Sequence, residues 1–294
     1  MDTTDSANIS QKVIAFLTSA QPFQEWLDCR QTLLHMMAVD EPWMHALPVL
    51  GCLAVGGKAE DAIPIAASWT SLRHAANLMD DIQDGDLQRY ANPVSPAVAS
   101  TYVLSFIFAA FQILNEVSIS SEKTQQITAI FARSGVDSSK GQHLDLTIEN
   151  GALQPRDQLK TYWMTLIQKS GSIYFAGLAG AAAAGTDSDD EIEAMGQFGI
   201  ALGVIRQVID DCRDILIDAK DVRKATLPGL LKAWLIGEVQ QDDPRIGQLI
   251  ADILIEWKRR ALASLKIIQP SPFRQELVNI LEHVLQPSQT HNTL

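Results

Sequence analysis

The sequence predicts an all-α fold. Apolar residues make up 47% of its 294 positions, enough for a sizeable core. Long runs rich in Ala and Leu carry apolar residues at helical spacing, and clear strand alternation is scarce. The length suits one large domain or two small ones. No linker, low-complexity tract or short repeat period interrupts it. The expectation is a single helical domain over 1–294, with flexible tails at 1–10 and 287–294.

The elements follow in order. Helical segments are expected at 10–19 and 22–38, the second opened by Pro22 and given an apolar face by Trp26, Leu27, Leu33, Leu34 and Met37. Asp40-Glu41-Pro42 breaks the chain. A short apolar helix covers 43–54 and ends at Gly56-Gly57. The run 59–84 tolerates Pro64 in its first turns and stops at Gly85-Asp86. Residues 89–93 read as a loop. Helices are expected at 95–117 and 121–134, the latter capped by Ser121, then a turn over 135–140 and a short helix from Gly141. The segment 156–184 carries a small-residue run, Ala176 to Gly185, that suits close helix packing. An acidic start at 186–191 matches the helix dipole and opens a helix reaching about 218. A polar loop with Lys224 follows, then helices at 229–237, 245–267 and 272–285. In 245–267, Ile246, Leu249, Ile250, Ile253, Leu254 and Trp257 repeat at core spacing.

Composition narrows the function. The net charge is -12, and without a basic stripe no nucleic-acid partner is expected. The Met-Asp-Thr-Thr-Asp start is polar and acidic, unlike a signal peptide. No uncharged apolar run long enough for a membrane span is expected. Cys29, Cys52 and Cys212 are odd in number, lack metal-type spacing and read as free thiols of a reducing, cytoplasmic compartment. Cys212 reads as helix filler. His74 and His143 read as structural histidines.

Two stretches carry chemistry. Asp80, Asp81 and Asp84 close the helix 59–84, and their spacing places three carboxylates over roughly 100° of one face. Like charges so close repel unless a cation joins them. Mg²⁺ takes oxygen ligands octahedrally, using one or two carboxylates plus phosphates and waters. Asp210, Asp211 and Asp214 repeat the spacing inside a second apolar run. One such motif is weak; two suit a Mg²⁺-bridged diphosphate between two helices.

With both motifs placed, residues 45–235 resemble the trans-isoprenyl diphosphate synthases, also called the polyprenyl synthetase family. The triads resemble its two aspartate-rich motifs, and Arg89 one of the arginines following the first. Gly141-Gln142-His143-Leu144-Asp145 is similar to a Gly-Gln-x-Leu-Asp segment, and Tyr162 with Lys169-Ser170 to a Tyr…Lys-Thr segment. Gln207 leads the second motif. Lys224-Ala225-Thr226-Leu227-Pro228 resembles a Lys-x-Thr-Leu-Pro loop. The resemblance implies a helical bundle around a deep central cavity, a homodimer, and Mg²⁺ held by Asp80, Asp81, Asp84, Asp210, Asp211 and Asp214. Asp211 reads as a candidate for support rather than direct ligation. Lys169, Lys224 and Arg89 would meet the diphosphate, with Gln142, Gln207 and Ser170 binding substrate. Small Ala75 and Ala76, one turn before Asp80, imply room for a fifteen- or twenty-carbon allylic diphosphate. Phe106, Phe108, Phe111 and Tyr174 are candidates for cation–π contact with a carbocation, although ordinary core is the commoner role.

Two departures separate the chain from the family pattern. Gln88-Arg89-Tyr90 stands where members often carry Arg-Arg-Gly. Members also usually carry Gly-Lys-Arg-x-Arg-Pro, which holds isopentenyl diphosphate. The corresponding place here reads Trp43-Met44-His45-Ala46-Leu47-Pro48. Losing several cationic hydrogen bonds to a diphosphate is severe. The expected activity is therefore a prenyltransferase that ionises an allylic diphosphate and passes the cation to an acceptor. That acceptor is either isopentenyl diphosphate bound atypically or a non-diphosphate nucleophile. The alternatives are a terpene synthase on the same fold and a non-catalytic partner subunit.

Overall fold

The computed structural model describes residues 4–90, 94–148, 155–217 and 245–286, with side chains over 6–90, 94–147, 160–212 and 247–286. Among these residues every regular element is helical. The order is α1 (Thr4–Ser19), α2 (Gln21–Glu25), α3 (Leu27–Ala38), α4 (Pro42–Ala54), α5 (Ala59–Asp84), a 3₁₀ turn (Leu87–Arg89), α6 (Pro96–Leu114), α7 (Ser121–Ile148), α8 (Pro155–Leu166), a π-turn (Ile167–Gly171), α9 (Ser172–Gly185), α10 (Asp189–Ile217), α11 (Arg245–Ser264), a second 3₁₀ turn (Leu265–Ile267) and α12 (Pro272–Leu285). The chain divides into two compact units, one of residues 1–131, 176–193 and 268–277, the other of 132–175, 194–267 and 278–294.

The first unit is built on α5, which packs against α1, α4 and α6. Trp69 on α5 is fully buried, and Gly177 of α9 meets it so closely that a Cβ there would lie 2.7 Å from the indole. Gly180 meets Phe131 in the same way, at 2.5 Å. The small-residue run of α9 thus serves close packing, as its composition predicts. Ser68 and Ser71 of α5 donate to the Ala110 and Phe106 carbonyls of α6 at 2.7 and 2.8 Å.

Several sequence expectations need correction. Residues 4–10 belong to α1 rather than a flexible tail. The segment 22–38 is split at Trp26, whose non-helical backbone separates α2 from α3. The turn expected at 135–140 is absent, and α7 runs unbroken from Ser121 to Ile148. Gly135 marks no break there, because an isolated glycine costs a helix only about 1 kcal/mol, which tertiary packing overrides. The cap of α7 is Ser120, whose hydroxyl accepts from the Lys123 N–H. An apolar run of membrane-spanning length does exist: α6 has 19 residues, none charged. Both α6 and α10 are long and apolar enough to cross a membrane, but 67% of the apolar window in α10 is buried inside the protein. Of the described side chains in the α11 stripe, only Trp257 is buried. The expected helix 229–237 and Lys224 lie outside the described residues, as does the 287–294 tail.

Candidate active site

In the first unit, α5 delivers its carboxylates at the last turn. Gly85 ends the helix at φ 81°, a left-handed conformation that suits glycine. The Gly85 and Asp86 N–H groups both close onto the Asp81 carbonyl. This reversal brings Arg89 and Tyr90 back over the helix end. Both groups bind the buried Asp81 carboxylate, the Arg89 guanidinium at one oxygen and the Tyr90 hydroxyl at the other. Burial, then the hydrogen bond to Asp81, pushes the Tyr90 hydroxyl well above its ordinary value. Tyr90 also packs against the His35 ring, centroids 5.6 Å apart. Asp80 is half-buried and Asp84 exposed. Of the three, the middle carboxylate faces inward and the outer two do not. Ala75 is buried and Ala76 half-buried.

In the second unit, α10 carries Gln207, Asp210 and Asp211. Buried Asp211 accepts from the Tyr162 hydroxyl at 2.8 Å and from the Gln207 amide at 2.9 Å. Burial pushes its carboxyl up to about 7, with the neighbouring Asp145 and Asp210 charges adding and the two hydrogen bonds opposing. Gln207 also accepts from the Ser170 hydroxyl at 2.9 Å. Asp210 is half-buried. Asp214 lies on α10 with its side chain outside the described residues.

The π-turn aims Lys169 across to α7, where its ammonium meets Asp145 at 2.7 Å. Gly141 explains this closeness, because a Cβ there would sit 2.2 Å from the Lys169 backbone nitrogen. Ser138 seals the contact by donating to the Lys169 carbonyl at 2.9 Å. Gln142, next to Gly141, is half-buried. The structure thus joins Gly141, Asp145, Lys169, Ser170, Gln207 and Asp211 in one continuous network within this unit.

The aromatic candidates separate. Phe108 is 69% exposed, so it does not line an apolar interior. Phe106 is core, packed against Phe23 at 5.9 Å. Phe111 is half-buried, and the Tyr174 hydroxyl accepts from Arg206 at 3.0 Å. Burial pushes the Cys212 thiol up to about 12, which leaves it an unreactive filler. His143 is exposed, whereas His74 is fully buried. Among the described residues, no three carboxylate, imidazole or thiol groups gather as a ready-made metal cluster.

Residues 44–233 match the family model described as polyprenyl synthetase. The chain belongs to the polyprenyl synthetase family. Among curated members, a short chain isoprenyl diphosphate synthase of Methanothermobacter thermautotrophicus is 28% identical over 188 residues, covering 61% of this chain and 55% of that protein. A geranylfarnesyl diphosphate synthase of Methanosarcina mazei is 25% identical over 168 residues, 55% of each chain. The match spans about half the length of these relatives. The fold extends further than the sequence likeness. Geranylgeranyl pyrophosphate synthetase from Pyrococcus horikoshii superposes with a TM-score of 0.82 over 97% of this chain and 98% of that one, at 17% identity. A Caulobacter crescentus polyprenyl synthase, described as complexed with calcium and isoprenyl diphosphate, gives 0.73 over 96% and 94%, at 18% identity.

The sequence shows the polyprenyl synthetase motifs but not one partner of the first, Tyr90, nor a buried polar group elsewhere in the first unit. Tyr90 was legible only as the residue that follows Arg89. The buried group of Asp40, His45, Arg73 and His74 had one sequence signal, an arginine inside the apolar run of α5.

Proposed function

We propose that the chain is a Mg²⁺-dependent prenyltransferase. It ionises an allylic diphosphate of fifteen or twenty carbons and transfers the prenyl group to an acceptor. Family membership supports the reaction class, as do the relatives named isoprenyl diphosphate synthases. One observation carries the residue assignment: in both motifs the middle aspartate is buried and bound by protein groups, while the described outer aspartates are not buried. Asp80 and Asp84 lie one turn apart on one stripe of α5, and two such carboxylates with phosphate oxygens and waters meet the coordination habit of Mg²⁺. The ion, when bound, supplies Lewis-acid stabilisation of the departing pyrophosphate.

The remaining work falls to the chain. Asp80 and Asp84 in the first unit, and Asp210 and Asp214 in the second, serve as metal ligands. Asp81 and Asp211 hold the motif helices in register through Tyr90 and Tyr162. Lys169, Lys224 and Arg89 neutralise charge developing on the leaving group. Lys169 exchanges Asp145 for substrate, and Arg89 exchanges Asp81. Ala75 and Ala76 leave room for the prenyl chain. The assembly is a homodimer in the cytoplasm.

The test is a paired incubation with Mg²⁺. Geranyl, farnesyl and geranylgeranyl diphosphates are each supplied with and without isopentenyl diphosphate, while pyrophosphate release is followed and products are weighed by mass spectrometry. The reading expects pyrophosphate release that depends on an acceptor. Hydrocarbon or alcohol formed equally well without one would replace it with a terpene synthase.

A further inference from the structure

We propose that Asp40, His45, Arg73 and His74 form a subsite for an uncharged hydroxyl group on an apolar second substrate. This deepens the proposed transferase activity and rests on it for the word substrate. The residues lie together in the first unit. Arg73 and His74 are on α5, His45 is on α4, and Asp40 is in the link between α3 and α4. Arg73 precedes Asp80 by seven residues and Asp84 by eleven. At about 100° per residue, both intervals return to within roughly 20° of the same face. The cluster therefore begins about two turns before Asp80 and three before Asp84 on their own stripe, roughly 10 and 16 Å along the axis. Small Ala76 stands between.

The group is buried and electrically balanced. The Arg73 guanidinium grips both Asp40 oxygens. Burial would raise the Asp40 carboxyl, but Arg73 and His74 hold it well below the usual carboxylate range. His74 Nε2 lies 3.2 Å from Asp40 and 3.1 Å from Arg73. Burial first, then the Arg73 charge, lowers both His45 and His74 to about 4. Both imidazoles are therefore neutral near pH 7, and the cluster carries no net charge. A diphosphate would find no counter-charge here.

Its hydrogen bonding is unfinished. His45 approaches the Met37 carbonyl and lies 3.5 Å from Asp40, yet neither ring nitrogen makes a hydrogen bond of normal geometry. His74 Nδ1, Arg73 Nε and Thr70 Oγ1 are likewise buried without partners. His45, His74 and Thr70 are at most 1% exposed, so bulk solvent does not reach them. Leaving such groups unmet is costly, and several gathered together call for a ligand. Elsewhere on the same helix the polar side chains are satisfied, as Ser68 and Ser71 show. The unmet set includes the obligate donor Arg73 N–H together with imidazole and hydroxyl groups. A hydroxyl ligand offers one donor and two acceptor lone pairs, which suits that mixture. A metal does not suit it, because Arg73 occupies both Asp40 oxygens.

The test uses the full metal-free chain with 2-naphthol as the probe and naphthalene as its counterpart lacking oxygen. Titration calorimetry measures affinity, and nitrogen-15 NMR of labelled histidine follows the His45 and His74 ring nitrogens. The expected result is about tenfold tighter binding of 2-naphthol, with shifts at both rings. That preference should vanish in His45→Phe and His74→Phe and survive in part in His74→Gln. Equal affinities for the two probes, or unshifted ring nitrogens in the unmodified protein, would overturn the subsite whether or not the variants fold. Loss of pyrophosphate release with every diphosphate would instead sink the transferase reading and leave the naphthol result standing.

Discussion

The two aspartate motifs solve the same problem with different partners. In each, the middle carboxylate is buried and accepts a tyrosine hydroxyl, Tyr90 for Asp81 and Tyr162 for Asp211. At Asp81 the second partner is the Arg89 guanidinium, which brings an opposite charge. At Asp211 it is the Gln207 amide, and with two uncharged partners burial pushes the carboxyl up to about 7. The difference teaches that the spacing of a DDxxD motif specifies geometry but not electrostatics. The same three letters hold a charge-paired anchor in one helix and a carboxyl near neutrality in the other.

The largest expected effect breaks the comparison on one side. Asp80→Ala with Asp81→Ala removes an outward carboxylate and its anchor together, and pyrophosphate release should fall about a thousandfold. Undiminished release would end the metal-site assignment. Gly141→Ala acts only on the second motif's side. The new Cβ collides with the Lys169 backbone, so urea denaturation should report a loss of about 3 kcal/mol. The same change should weaken the Lys169–Asp145 pair.

Acidification acts on the two units with opposite sign. Asp211 in the second, raised to about 7, gains stability as pH falls through that value, whereas the buried imidazoles of the first lose it. His45 is neutral when folded and takes up a proton at about 4, against an unfolded value near 6.5. The unfolded chain therefore binds more protons between those values. Stability should fall as pH drops from 6.5 towards 4, by on the order of 3 kcal/mol for this imidazole. His45→Phe should flatten that slope in denaturation measured across the window. The smallest effects sharpen the comparison itself. Tyr162→Phe removes one of two uncharged partners and should cost about 2 kcal/mol. Tyr90→Phe leaves Arg89 in place and should cost about 1 kcal/mol. Equal losses in thermal unfolding would mean that Arg89 contributes nothing to the anchor.

Much of this was legible in the sequence. The helix Ala59–Asp84 and the helix Pro272–Leu285 follow from apolar periodicity bounded by Gly85 and Pro272, and the structure gives the same limits. Both triads and the Gly141, Asp145 and Lys169 group also stand out as patterns. What stayed hidden depends on contacts between distant residues. Nothing local joins Asp40 to Arg73, and no propensity shows that Tyr90 turns onto Asp81. The unbroken α7 was hidden for another reason. Gly135 resembles a stop and Gly141 a new start, yet Gly141 is there because the Lys169 backbone passes too close for any side chain.

The π-turn at Ile167–Gly171 bears on how this gene tolerates insertions and deletions. A π-turn fits one more residue into a helix than the α-helical period allows. Deleting a single codon there would not interrupt the helix; it would restore ordinary α geometry and rotate everything before it by about 100°. Tyr162 and Lys169 would then face away from Asp211 and Asp145, in a chain with the same helix content. A natural variant one residue shorter between Tyr162 and Ser172 would look intact by circular dichroism and be altered where the chemistry lies.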